Sequence, residues 1–173
     1  RNLIKAKGVF ELVKSFEQLK QLYSDMELHL IGANKEPQFL GTMSDYIERQ
    51  NISDIYFHPP MHQSDIAEWM SAADCFVLPS HMEGFGLVAL EAMACHTPVV
   101  ASDVGGLSYL VKNGAGLLIQ PKDINSLKSA IEKIYLQFSL RDELIEAAEK
   151  VAAENDANRQ VEKLIKIYRN LLV

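Results

Sequence analysis

The chain has 173 residues, 48% of them hydrophobic and 23% charged, with a formal net charge of −6. Such a chain suits one soluble globular domain that buries roughly 70% of its unfolded surface and needs no metal or disulfide staple. An acidic chain without a basic stripe is a poor candidate for holding a polynucleotide, because that means neutralising many phosphates; a small phosphorylated ligand needs only one or two cations.

Apolar runs of strand length alternate with segments of helical period. Residues 9–23 place Val9, Phe10, Val13, Phe16, Leu19, Leu22 and Tyr23 on one face, which predicts a helix. A strand over Glu27–Ile31 ends at Gly32, and a helix follows over 39–50 with Phe39, Met43, Tyr46 and Ile47. The next strand, Asp54–Phe57, is stopped by Pro59 and Pro60, and a helix over 65–72 leads to the strand Cys75–Leu78 and Pro79. Leu87–Cys95 is a short helix, Val99–Ala101 a strand, Leu107–Lys112 a helix closed by Gly114, and Leu117–Ile119 the last strand. Beyond residue 123 the pattern is helical, over about 124–138, 141–153 and 157–171. These helices are expected to pack on the sheet or reach across to a partner domain, with charged, solvated outer faces. There is no internal repeat and no linker, so residues 1–173 are expected to form a single domain.

Strands alternating with helices pair in parallel through right-handed crossovers, which predicts an α/β fold with a Rossmann-like, doubly wound parallel sheet and a helical C-terminal segment. Ligands of such sheets bind beyond the carboxyl ends of the strands. That rule points to Gly32–Pro37, His58–His62, Ser80–Gly86 and Ser102–Gly106.

Cys75 and Cys95 have neither CxxC nor zinc-ligand spacing, sit in apolar runs, and read as reduced buried thiols suited to the cytoplasm. No apolar run approaches the ~18 residues of a membrane span and no secretory signal is seen, although a chain that opens at Arg1 reads as an excised piece. His58 and His62 are four apart, but Pro59 and Pro60 between them break the helix that an i,i+4 metal pair requires. Trp69 and Met70 read as core or domain-face packing. His81 reads either as a solvated loop residue or as a contact to a sugar.

The informative stretch runs from Pro79 through Ser80, His81, Met82, Glu83, Gly84, Phe85 and Gly86 into Leu87–Ala94. Gly84 and Gly86 allow φ > 0 and let the backbone approach a ligand. The N–H groups of Gly86, Leu87 and Val88 would point out of a helix N-terminus, where the dipole favours an anion such as a diphosphate. Taken alone, this loop reads more readily as an ordinary strand-to-helix turn, because single glycine loops are weak signals. Glu91 shifts the balance: it is the one charged residue from Leu87 to Ala94, in a helix otherwise apolar on every side. Its carboxylate could accept both hydroxyls of a ribose, or its tip could reach solvent or a lysine. Glu83 lies where a sugar beyond the phosphates would sit, with a solvated loop residue as the equal alternative.

These residues resemble the E-x7-E signature of the GT-B glycosyltransferase family (group 1, or family 4) that includes glycogen synthase-like and mannosyltransferase enzymes. Glu83 and Glu91 are separated by seven residues, and the likeness extends through Thr97-Pro-Val-Val-Ala-Ser102, Gly105-Gly106 and, upstream, Ala73–Ser80. Arg1 and Lys7, followed by Gly8, look like the family's diphosphate clamp. Two departures stand out. His96 replaces the usual Gly before Thr-Pro, which predicts a different local backbone, and Ala33-Asn34 follow Gly32 where a second glycine is common.

The resemblance implies the C-terminal, donor-binding domain of a retaining glycosyltransferase, with the N-terminal acceptor-binding domain outside this chain. Arg1 and Lys7 would neutralise the diphosphate of a nucleotide-sugar donor and Glu83 would act beside the anomeric carbon. Gly84, Phe85, Gly86, Leu87 and Val88 would cradle the phosphates and Glu91 would hold the ribose. The absence of Asp-x-Asp implies no metal and no cofactor. Any membrane contact would come through the missing part, with the protein otherwise cytoplasmic. The competing readings are a related GT-B nucleotide-sugar epimerase or phosphorylase, and a non-catalytic nucleotide-binding module.

Overall fold

A computed structural model describes residues 2–171. Among the described residues seven strands are present: β1 (Asn2–Leu3), β2 (Leu28–Ile31), β3 (Ala33–Asn34), β4 (Ile55–His58), β5 (Phe76–Leu78), β6 (Val99–Ser102) and β7 (Leu117–Ile119). Eight helices alternate with them and then follow: α1 (Val9–Lys20), α2 (Pro37–Arg49), α3 (Gln63–Ala72), α4 (Leu87–Ala94), α5 (Gly106–Leu110), α6 (Ile124–Leu136), α7 (Phe138–Glu154) and α8 (Ala157–Leu171). A single 3₁₀ turn, Lys5–Lys7, precedes α1.

Every strand pair is parallel, as the alternation requires, but the hydrogen-bonded ladders form three groups and not one continuous sheet. These are β1–β3, β2–β4 and β5–β6–β7. All five expected strands are present. β1 and β3 were not anticipated, since two residues are too few to show a period.

Strand β6 is buried on both faces, and its side chains divide between two cores. Val100 packs with Leu12 and Val13 of α1, Met43 of α2 and Leu127 of α6. Val99 and Ala101 face Met70 of α3, Val88 and Met93 of α4, and Leu107 of α5. Alternation along a strand thus sends neighbours into opposite helical layers. α7 joins both, with Leu144 in one core and Ala148 in the other.

The helix ends follow from local chemistry. Asp123 caps α6, its Oδ1 accepting the Ser126 N–H at 3.0 Å. Asp123→Ala should lower stability by about 1 kcal/mol, seen as a fall of roughly 2–4 °C in the unfolding midpoint. α7 begins at Phe138 and not at 141, because Arg141 closes the preceding helix. Its Nε donates to the Ile134 carbonyl at 2.6 Å and its guanidinium reaches the Tyr135 carbonyl at 3.3 Å and Asp74 at 3.0 Å. With the last carbonyls of α6 satisfied from α7, the two helices abut at Gln137 with no loop.

α8 does not pack on the sheet. None of its described residues is buried, and Val161, Leu164, Ile165, Tyr168 and Leu171 form an exposed apolar stripe at helical spacing. Its polar face is solvated, as expected, but the stripe is not polar. No helix among the described residues is long and apolar enough to cross a membrane.

Candidate functional site

Two glycine positions bring the relevant loops together. Gly8 caps α1 with φ 66°, and a Cβ there would lie 1.9 Å from the Pro79 carbonyl oxygen. The turn bearing Lys7 therefore sits directly on the end of the β5–α4 loop. On the other side, Gly106 donates its N–H to the Gly84 carbonyl at 2.6 Å. A Cβ on Gly105 would come within 1.9 Å of the Glu83 carbonyl oxygen. The Glu83–Gly86 loop is thus held between the start of α1 and the β6–α5 turn.

Within this frame Lys7 and Glu83 meet. Lys7 Nζ donates to Glu83 Oε2 at 2.6 Å, with the two side chains 27% and 11% exposed. The same carboxylate accepts from Ser80 Oγ at 3.4 Å, and its other oxygen accepts the Gly84 N–H at 3.3 Å. Glu83 is therefore a shielded, tethered group, not the solvated loop residue of the alternative reading. Arg1 lies outside the described residues.

Gly86 caps α4 in the left-handed region, φ 88°, and no side chain caps this end. Among the described residues, no acceptor is recorded for the N–H groups of Gly86, Leu87 or Val88. The positive φ requires glycine here, and a Cβ on Gly86 would lie 2.6 Å from a Leu107 methyl that would have to shift. Gly84 is different: its φ is not positive, and nothing lies within 4 Å of a Cβ placed there. Of the two glycines that allow φ > 0, only Gly86 uses that freedom. Phe85 and Leu87 are exposed beside the loop.

Glu91 lies one turn into α4 and is half-buried, so the helix is not enclosed on every side. Val88, Ala89, Ala92 and Met93 form its buried face, while Leu87 is 55% exposed. No hydrogen bond or ion pair to the Glu91 carboxylate is recorded among the described residues, and no lysine takes it. An open recess of about 480 Å³ lies beyond the ends of β2 and β4, lined in part by Gly32, Asn34, His58 and Pro59. It coincides with two of the loops singled out by the strand-end rule, although Lys7, Glu83 and Glu91 do not line it.

The remaining candidates have their own partners. His58 pairs with His29 (Nε2 to Nδ1, 3.0 Å) under Trp69, whose ring lies 4.7 Å from that of His58. His62 instead caps α3 against Ser64. Met70 is core. Cys75 and Cys95 are unpaired, and burial pushes the Cys75 thiol up to about 12, so it stays protonated. His96 adopts the left-handed conformation, φ 59°, despite its side chain. Holding a side chain in that region costs the residue roughly 1–2 kcal/mol of strain. His81 is not solvated: its Nε2 contacts Glu11 Oε1 at 3.0 Å. Glu11 is the member of this arrangement that sequence reasoning missed, and Ser80 is read there only as part of the loop and not as a partner of Glu83.

Comparison with known proteins shows the family and the fold. The family model of glycosyl transferases group 1 matches residues 1–151. The chain belongs to that family. A D-inositol 3-phosphate glycosyltransferase of Frankia alni is 41% identical over 123 residues, 70% of this chain and 30% of that protein. Sucrose-phosphate synthase from Thermosynechococcus elongatus superposes with a TM-score of 0.84 at 30% identity, over 98% of this chain and 43% of its own. Anabaena HepE, in complex with UDP-glucose, gives a TM-score of 0.85 at 25% identity over 95% of this chain and 46% of its own. The fold is that of a C-terminal GT-B domain, and the chain spans about a third of the length of its curated relatives.

Proposed function

We propose that this chain is the donor-binding half of a retaining glycosyltransferase, which moves a sugar from a nucleotide diphosphate sugar to a glycan, lipid or small-molecule acceptor. The observation that carries this reading is the Lys7–Glu83 pair beside an α4 N-terminus with no side-chain cap, with the Glu91 carboxylate, unpartnered among the described residues, one turn further on. Lys7, with Arg1, neutralises the diphosphate as it departs. The N–H groups of Gly86, Leu87 and Val88 add fixed donors at the positive end of α4, while Gly84 and Phe85 shape the loop around them. Glu91 accepts the ribose hydroxyls, and Glu83 holds sugar hydroxyls beside the anomeric carbon while its charge keeps Lys7 in place. The incoming acceptor attacks on the leaving-group side, giving retention. The HepE complexes with UDP and UDP-glucose support a uridine donor. The D-inositol 3-phosphate glycosyltransferase relatives support hexosyl transfer.

The two glutamates do not act as a glycosidase pair, which must flank one bond; one is tethered to Lys7 and the other belongs to the ribose side. With cations supplied by Lys7 and Arg1, the proposed reaction needs no metal, and a strict Mg²⁺ requirement for donor binding would count against it. The acceptor site and its domain belong to the rest of the protein, and the exposed stripe of α8 is a surface suited to meet it.

Thermal unfolding with UDP, GDP and ADP tests the reading. A nucleotide at 100 times its dissociation constant stabilises by about 2.7 kcal/mol, or roughly 5–11 °C for a domain of this size. One nucleotide should give that shift, and Glu91→Ala should abolish it. Equal shifts in the variant would remove Glu91 from the site, and no shift with any nucleotide in the complete protein would overturn the reading.

A further inference from the structure

We propose that Glu11 and His81 form a positioning couple that seats Lys7 against Glu83 and so sets the grip on a nucleoside diphosphate; the proposal rests on the donor-binding reading above. His81 is tied twice to the segment that carries Lys7. Its backbone N–H donates to the Ala6 carbonyl at 2.9 Å, and its ring Nε2 meets Glu11 Oε1 at 3.0 Å. An ionised carboxylate only accepts, so Nε2 carries the hydrogen and Glu11 fixes the tautomer as well as the ring. The two side chains are 17% and 23% exposed, shielded enough to hold one geometry where a fully solvated pair would drift.

The consequence lies in what sits between these ties. Residues 6–11 and 79–83 face each other at three points: the Gly8 backbone on the Pro79 carbonyl, Ala6 on the His81 backbone, and Glu11 on the His81 ring. Lys7 and Glu83 project from the two segments and meet at 2.6 Å. A lysine is a mobile point charge on a flexible stem with about 2 kcal/mol of rotamer entropy, so presenting it to phosphate requires a fixed prop. Glu83 is that prop, and the loop bearing it has an exposed residue, Met82, directly before it. The ring contact to Glu11 ties the His81 side chain to the α1 segment. Neither Glu11 nor His81 need touch the donor. They act through the loop.

The experiment is calorimetric titration of the complete protein with UDP and, separately, with uridine, which lacks phosphates. Glu11→Ala should weaken UDP about tenfold, the scale of one charge-assisted hydrogen bond, and leave uridine within about twofold. His81→Ala should do the same, and the double variant should lose no more than the larger single loss, as two members of one couple do. Glu11→Gln should restore UDP binding, because its amide oxygen still accepts from Nε2–H. Equal loss for uridine and UDP, additive losses in the double variant, or a Gln variant as weak as the Ala variant would each overturn the couple. Lys7→Ala, run in parallel, separates the two levels. If it weakens UDP while Glu11→Ala does not, only the couple fails. If Lys7→Ala itself leaves UDP unaffected, the donor-site reading falls and the couple with it.

Discussion

Replacing Lys7 by alanine in the complete protein is expected to lower kcat/KM for the donor by about 10²–10³-fold, the cost of one preorganised donor at a developing negative charge. Lys7 is held at 2.6 Å from Glu83 in a partly shielded setting, so on the proposed donor-binding reading its ammonium is placed before substrate arrives and would need little reorganisation as the diphosphate leaves. The charge on the bridging oxygen grows toward the transition state, so kcat should fall more than donor affinity does. A second effect reinforces the first. Glu83 is 11% exposed, and without Lys7 its carboxylate loses its 2.6 Å ion pair. Lys7→Arg keeps the charge but not the compact geometry and should recover part of the loss. A variant Lys7→Ala with kcat/KM within about threefold of the parent, measured by donor consumption, would exclude Lys7 from the chemistry.

Much of this architecture is legible in the sequence because the segments that carry it are strongly periodic or strongly apolar. β6 reads as Val-Val-Ala-Ser with no alternation, the mark of a strand covered on both faces, and the structure places it between two helical layers. Helix α4 was placed within a residue at its end by its apolar run and the glycine before it. What was not legible depends on contacts between distant residues. Glu11 and His81 are 70 positions apart, and nothing in either local pattern joins them. The early start of α7 depends on Arg141 reaching back to α6, which only tertiary geometry reveals. Helix α4 looked enclosed because its residues are apolar, yet Leu87 is 55% exposed. Composition reports how apolar a face is, and a partner decides whether it is covered. The stripe on α8 makes the same point: its spacing fits a buried seam, and no described residue covers it.

Gly105→Ala should destabilise the domain by roughly 2–6 kcal/mol, combining backbone strain and a steric clash of about 1–3 kcal/mol each. Gly105 has φ 51° and ψ −133°, a conformation that residues with a Cβ rarely adopt. Its added methyl would lie 1.9 Å from the Glu83 carbonyl oxygen and 3.2 Å from that of Gly84, both backbone atoms that cannot rotate away. Relief requires the Glu83–Gly86 loop to separate from the β6–α5 turn, which strains the 2.6 Å hydrogen bond from Gly106 to Gly84. The same displacement shifts Glu83 away from Lys7, so nucleotide binding should suffer in whatever fraction stays folded. Gly84→Ala is the matched control. It is in the same loop and on the other side of the contact, but with ordinary φ and open space around its Cβ it should change stability by less than about 0.5 kcal/mol. Denaturant unfolding of the two variants reads the contrast directly. If Gly105→Ala matched the parent, the tight seat between these loops would be wrong; if Gly84→Ala lost as much as Gly105→Ala, the loop would depend on glycine for flexibility and not for close approach at one point.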